Sequence, residues 1–141
     1  MSGSPSEPPW HLTETYKSLI TLAVEALKML AIVNGGAAIA VLTYLGNLAG
    51  RPAPGVKLPD MTSAILWYCG GLTAAITAFV IAYVTQLCLY NEGRKRRSGY
   101  AIRQWHAVGV WICVALAFAS VGAFSKGCWV AAHVLGTVKG G

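Results

Sequence analysis

The sequence predicts an all-α membrane protein with three transmembrane helices, the first extended by an amphipathic cytoplasmic segment. Composition is the first observation: 11% of the 141 residues are charged and 55% are hydrophobic, whereas a soluble domain carries about a quarter charged residues. The second is a set of long uncharged runs bounded by Pro-, Gly- or Arg-rich punctuation. The third is that apolar positions recur at helical spacing and nowhere alternate as strands do. The charges are lopsided, 11 Lys and Arg against 5 Asp and Glu, leaving +6, a balance suited to the flanks of membrane spans. Together these disfavour a soluble enzyme, a disulfide scaffold, a disordered chain and a nucleic-acid module.

Residues 1–12 read as a disordered N-terminal tail, since positions 1–10 (MSGSPSEPPW) hold three Pro, three Ser and one Glu and too little apolar surface to bury. With no basic start and no early apolar run, the segment is not read as a signal peptide. The rest, residues 13–141, reads as one helical membrane domain. From Thr13, apolar residues at Tyr16, Leu19, Ile20, Ala23, Val24 and Leu27 share one helix face, while Lys17, Thr21, Glu25 and Lys28 take the other. No Pro separates this stretch from the uncharged run 29–48, so one long helix is expected, with a first span at about 29–49. Three Pro and two Gly in residues 49–60 make 50–60 an outer loop.

Asp60 is placed to cap a second helix over 61–90, with a span at about 66–90. Trp67 and Tyr68 stand one hydrocarbon thickness from Tyr90, as interfacial aromatics do. Asn91-Glu92-Gly93 is expected to end it, and residues 91–104 to form a basic loop containing Arg94, Lys95, Arg96, Arg97 and Arg103. A third helix starts near Gln104 with a span at about 105–126. Trp105 and Trp129 bracket it, and Lys126 snorkels beside the second; the apolar run beyond Lys126 is too short to cross again and extends the helix along the interface. Seven of the basic residues, five of them in the 91–104 loop, then lie on one side and four on the other. The positive-inside rule puts that loop and the N-terminus in the cytoplasm and the C-terminus outside.

Small residues let membrane helices approach closely. The second helix carries Gly70, Ala74, Ala78, Ala82 and Gln86 at four-residue intervals; the first carries Gly36, Ala40, Gly46 and Gly50 with Thr43 and Asn47; the third carries Ala115, Ala119, Ala123, Gly127 and Ala131. These stripes serve packing within the chain, contact between copies, or both, and a homo-oligomer is expected. Asn34 and Gln86, both in the inner half of the membrane and so able to meet, need partners within hydrocarbon, either as interhelical glue or as the lining of a wet cavity. Glu25 and Lys28, three residues apart, form a solvated interfacial pair or a charged ring at a pore mouth. The basic cluster at 94–97 is a topogenic stop and also a site for anionic lipid or for an acidic membrane-protein partner.

No enzyme chemistry is legible. His11, His106 and His133 are scattered without metal-ligand spacing, the spans hold no Asp or Glu, and Ser120 has no base; no cofactor or metal is expected. Cys69, Cys88, Cys113 and Cys128 read mainly as small apolar packing residues. Cys69 and Cys128 sit at similar depth, which leaves open a disulfide between the second and third helices.

The segment Glu25-Ala26-Leu27-Lys28, followed by Val33-Asn34-Gly35-Gly36-Ala37-Ala38-Ile39-Ala40 and continuing to Leu45-Gly46, resembles one found in small uncharacterised bacterial inner-membrane proteins with three predicted helices. The resemblance covers the first helix and implies a bacterial inner-membrane location and a three-helix layout, with no activity. The expected function is a homo-oligomeric assembly forming or gating a pore, an ion channel or a membrane-permeabilising effector. Glu25, Lys28, Asn34 and Thr43 would line it. An accessory subunit of a larger membrane complex and a holin-like lysis protein are the alternatives.

Overall fold

The computed structural model describes residues 10–50, 58–96 and 105–139. They form three helices, α1 (Trp10–Ala49), α2 (Thr62–Arg96) and α3 (Trp105–Lys139), with no strand among the described residues. Each contains a stretch long and apolar enough to cross a membrane: Glu14–Ala49, Thr62–Leu89 and Ala107–Thr137. Between 11% and 17% of each apolar window is buried within the chain, so most of the apolar surface faces outward. Water cannot cover so much hydrocarbon, and the chain is a small multi-pass membrane protein.

Three boundaries differ from those expected. α1 begins at Trp10, inside the stretch read as tail, because Pro9 is the last helix breaker before residue 50; residues 1–9 lie outside the described residues. α2 does not stop at Asn91 but continues to Arg96. Asn91 and Gly93 each cost only about 1 kcal/mol in a helix, and the Arg and Lys that follow are good helix formers, so the basic loop loses its first six residues to α2. α3 runs unbroken to Lys139, its apolar stretch ending at Thr137 rather than near Lys126. Arg97 and Arg103 lie outside the described residues.

The start of α2 is as expected. The Asp60 carboxylate accepts the Thr62 N–H at 3.0 Å, and the Ile65 N–H donates to the Met61 carbonyl at 3.1 Å. Hydrogen bonds from the Thr62 side chain and then from its backbone hold the Asp60 carboxyl below its ordinary value.

α2 is the central helix. It packs most extensively on α3 and less on α1, while α1 and α3 touch least. The inward positions alternate steps of four and three: Ala31, Asn34, Ala38, Val41 and Leu45 on α1; Ala64, Tyr68, Gly71, Ala75 and Ala78 on α2; Cys113, Leu116, Ser120, Ala123 and Gly127 on α3. That is the 3.5-residue seam of a left-handed coiled bundle. Its best-packed part joins Ala38, Ala64 and Tyr68, flanked by Phe124, Val41 and Val130.

The register is antiparallel between neighbours. A Cβ at Gly71 would collide with Asn34 Oδ1, and one at Gly127 would meet the Tyr68 ring at 2.6 Å. These two glycines therefore act as sockets for side chains from the adjoining helix. Farther along, Ile20 and Leu27 of α1 share a cleft with Phe79 and Gln86 of α2. The amphipathic half of α1 therefore lies alongside α2 and does not project beyond it.

Candidate functional site: the two faces of the first helix

At the centre of the bundle Asn34 joins all three helices. Its Nδ2 donates to the Leu30 carbonyl at 2.9 Å and to Ser120 Oγ at 3.1 Å, and Ser120 Oγ donates onward to the Gly71 carbonyl at 2.8 Å. Asn34 and Ser120 are both completely buried. Asn34 Oδ1 faces Gly71 and has no hydrogen-bond partner. The amide orientation follows from the chemistry. The Leu30 carbonyl can only accept, and Ser120 already spends its proton on Gly71, so the amide nitrogen must face both.

The α2–α3 seam carries two more polar links. Cys113 Sγ donates to the Ala78 carbonyl at 3.3 Å, and the Tyr68 hydroxyl donates to Cys128 Sγ at 3.4 Å. All four cysteines are free thiols. The bridge left open between Cys69 and Cys128 is not formed, because Tyr68 occupies the seam opposite Cys128 and turns the next residue, Cys69, outward. Lys126 Nζ lies 4.2 Å from the Trp129 ring centroid, a cation–π contact on the exposed surface.

The opposite face of α1 has a different character. Glu25 and Thr43 lie half a turn from Asn34, with Lys28, Gly36, Ala40, Gly46, Asn47 and Gly50 around them, and all of these are exposed. A Cβ added at Gly36 or Gly46 would meet nothing within 4 Å. Lys28 Nζ and Glu25 Oε1 form an ion pair at 2.7 Å, and Lys17 pairs likewise with Glu14 at 3.0 Å.

The expected residues are thus divided. Of the four named as pore candidates, Glu25, Lys28 and Thr43 share the outward face, whereas Asn34 belongs to the interior and meets Ser120 rather than Gln86. On α2, Ala78 is buried, Ala74 and Ala82 are half-buried, and Gly70 and Gln86 are exposed. Four-residue steps advance about 40° each around a helix, so that series spirals across the seam instead of following it. The alternating steps of four and three were the readable signal for the interface; Ser120, Tyr68 and Gly71 stand on them. Arg94, Lys95 and Arg96 continue α2 as its last turn, and Arg97 lies outside the described residues.

The register sets the depth of the outward charges. Asn34 opposite Gly71 and Gly35 beside Leu72 fix the antiparallel register, which seven residues on brings Leu27 near the level of Phe79 in the shared cleft; Phe79 is ten residues, roughly 15 Å, inside the Leu89 end of the α2 apolar run. Glu25 and Lys28 therefore sit beside apolar α2, on a face that no other described residue covers. Among the described residues no three His, Cys, Asp or Glu side chains gather in a way that could hold a metal ion.

Comparison of the chain with protein-family models, with characterised proteins and with solved structures finds no match.

Proposed function

We propose that this protein is a homo-oligomeric inner-membrane assembly in which copies meet through the outward face of α1 and enclose a small water-filled pore. One observation carries the reading: the Glu25–Lys28 pair stands roughly 15 Å inside the apolar length of α2 yet points away from its own bundle. Charged side chains at such depth face a bundle interior or a wet cavity, because lipid solvates them poorly. Here the described residues of the chain supply no cover. Gly36, Ala40 and Gly46 on the same face let another helix approach closely, and Thr43 continues the polar line along it.

In this assembly Glu25 and Lys28 form a ring of paired charge at the narrow inner part of the pore, which sets ion preference through the sign left unpaired. The basic turn at Arg94, Lys95 and Arg96 marks the cytoplasmic side by the positive-inside rule, so the N-terminus is cytoplasmic. An accessory subunit would use the same face to dock on a different membrane protein, and a holin-like protein would open a larger lesion.

Ion flux and stoichiometry measured together test the reading. Purified protein in nanodiscs is sized, and the same preparation is reconstituted in liposomes with an ion-sensitive dye. A defined oligomer with flux is expected, Gly36→Leu or Ala40→Leu is expected to abolish both, and Leu66→Ala on the lipid side of α2 to leave both intact. A monomer without flux overturns the pore, and passage of large dyes replaces it with a holin-like lesion.

A further inference from the structure

A cleft opens between α1 and α2. It holds about 260 Å³, is lined chiefly by Ile20, Val24, Leu27, Phe79 and Tyr83, and ends at Gln86. It opens where the seam stops being filled: above it Asn34 and Ala38 are buried, whereas Ile20, Val24 and Leu27 are only half-buried. An apolar slot of this shape suits an alkyl chain.

What stands beyond the Gln86 end of the cleft points to its occupant. The apolar run of α2 ends at Leu89, three residues past Gln86, and Arg94, Lys95 and Arg96 follow as the last turn of the same helix. From Phe79, the α2 lining residue nearest the Asn34 centre, to Arg94 is fifteen residues, roughly 22 Å of helix. That is one leaflet, half of the ~40–45 Å bilayer with its headgroups. A chain lying in the cleft thus brings its headgroup to the level of the basic turn. We infer that the α1–α2 cleft is a binding site for an anionic phospholipid, with one acyl chain between Leu27 and Phe79 and the phosphate at the level of the helix turn that carries Arg94, Lys95 and Arg96. A zwitterionic lipid fits the slot but gains nothing from the net positive charge of that turn. The inference concerns the seam side of α1 and does not depend on copies meeting through its outward face.

Photolabelling of the full-length protein in phosphatidylcholine nanodiscs tests it. The probe is phosphatidylglycerol carrying a diazirine midway along one acyl chain, compared with phosphatidylcholine carrying the same chain, and adducts are mapped by peptide mass spectrometry. Labelling by phosphatidylglycerol is expected to concentrate on Leu27, Phe79 and Tyr83 over the lipid-exposed Phe118, and to exceed that by the phosphatidylcholine probe. Each of Arg94→Gln, Lys95→Gln and Arg96→Gln should reduce that preference about fivefold. Ala82→Phe should reduce cleft labelling without changing that of Phe118. Should Ala82→Phe fail to fold, the charge variants alone decide. Equal cleft labelling by the two probes overturns the inference, as does labelling of the cleft no stronger than that of Phe118. An unlabelled cleft whose residues instead cross-link between chains assigns it to a second copy.

Discussion

The α2–α3 pair and α1 are held in the same bundle by different means. Between α2 and α3 the seam is continuous: Cys113 to the Ala78 carbonyl, Ser120 to the Gly71 carbonyl and Tyr68 to Cys128 follow one another along it, with Gly127 receiving the Tyr68 ring. α1 is attached chiefly through Asn34 and the apolar contacts of Ala38, and parts from α2 at the cleft below. The pair is a committed hairpin and α1 is a helix fastened near its middle. The difference explains why the uncovered polar surface lies on α1: a helix gripped along one narrow line keeps the rest of its circumference for other contacts.

The largest effect should come from filling a socket in the hairpin. Gly127→Leu drives a branched side chain into the Tyr68 ring, and overpacking of this kind costs about 3 kcal/mol, read as a lower unfolding midpoint in detergent. A midpoint as high as that of the unaltered chain would break the distinction between hairpin and α1. Next comes the attachment of α1. A double-mutant cycle of Asn34→Ala with Ser120→Ala should give a coupling of about 1 kcal/mol, in the range of interhelical hydrogen bonds in membranes; zero coupling would mean that packing alone retains α1. Smaller still is the effect of Gly36→Leu on the isolated protomer. It stays within about 0.5 kcal/mol, as for a substitution that touches nothing, even though it should disrupt self-association.

The smallest effect concerns where α2 begins. The Asp60 carboxyl is held below its ordinary value by Thr62, so its stabilising contribution is present in full above the unfolded-state value and is lost as pH falls through the lower folded one. Stability measured from pH 6 to pH 2 should therefore decline at the acid end. Asp60→Asn, which still caps a helix, should flatten that part of the decline. An unchanged profile would remove Asp60 from the account of helix initiation.

Much of this architecture was legible in the sequence because hydrocarbon imposes simple demands. Three uncharged runs of adequate length and punctuation at Pro52, Pro54 and Pro59 are enough to predict three helices, and Asp60 announces the second. The partner of Asn34 was not legible: an amide in a span must find company, but nothing local indicates that the company is Ser120, 86 residues away, rather than Gln86. The register of α1 against α2 was not legible for a related reason. Hydropathy judges each helix alone and places the α1 span at about 29–49, whereas packing sets Leu27 beside Phe79 and so draws Glu25 and Lys28 alongside the apolar part of α2. Side-chain faces went partly astray because series of Gly and Ala at four-residue intervals catch the eye more readily than the mixed residues of a 3.5-residue seam.

The apolar stretches Thr62–Leu89 and Ala107–Thr137 measure roughly 42 and 46 Å at helical rise, well beyond an average hydrocarbon core of ~30 Å. Such hydrophobic mismatch is relieved by tilting the bundle or by stretching the surrounding acyl chains, at a fraction of a kcal/mol for each ångström. Bilayer thickness thereby becomes a mechanical variable for this protein: thin membranes lean its helices over and thick ones stand them upright. The angle at which the first helix meets its surroundings follows from the lipids in which it is placed.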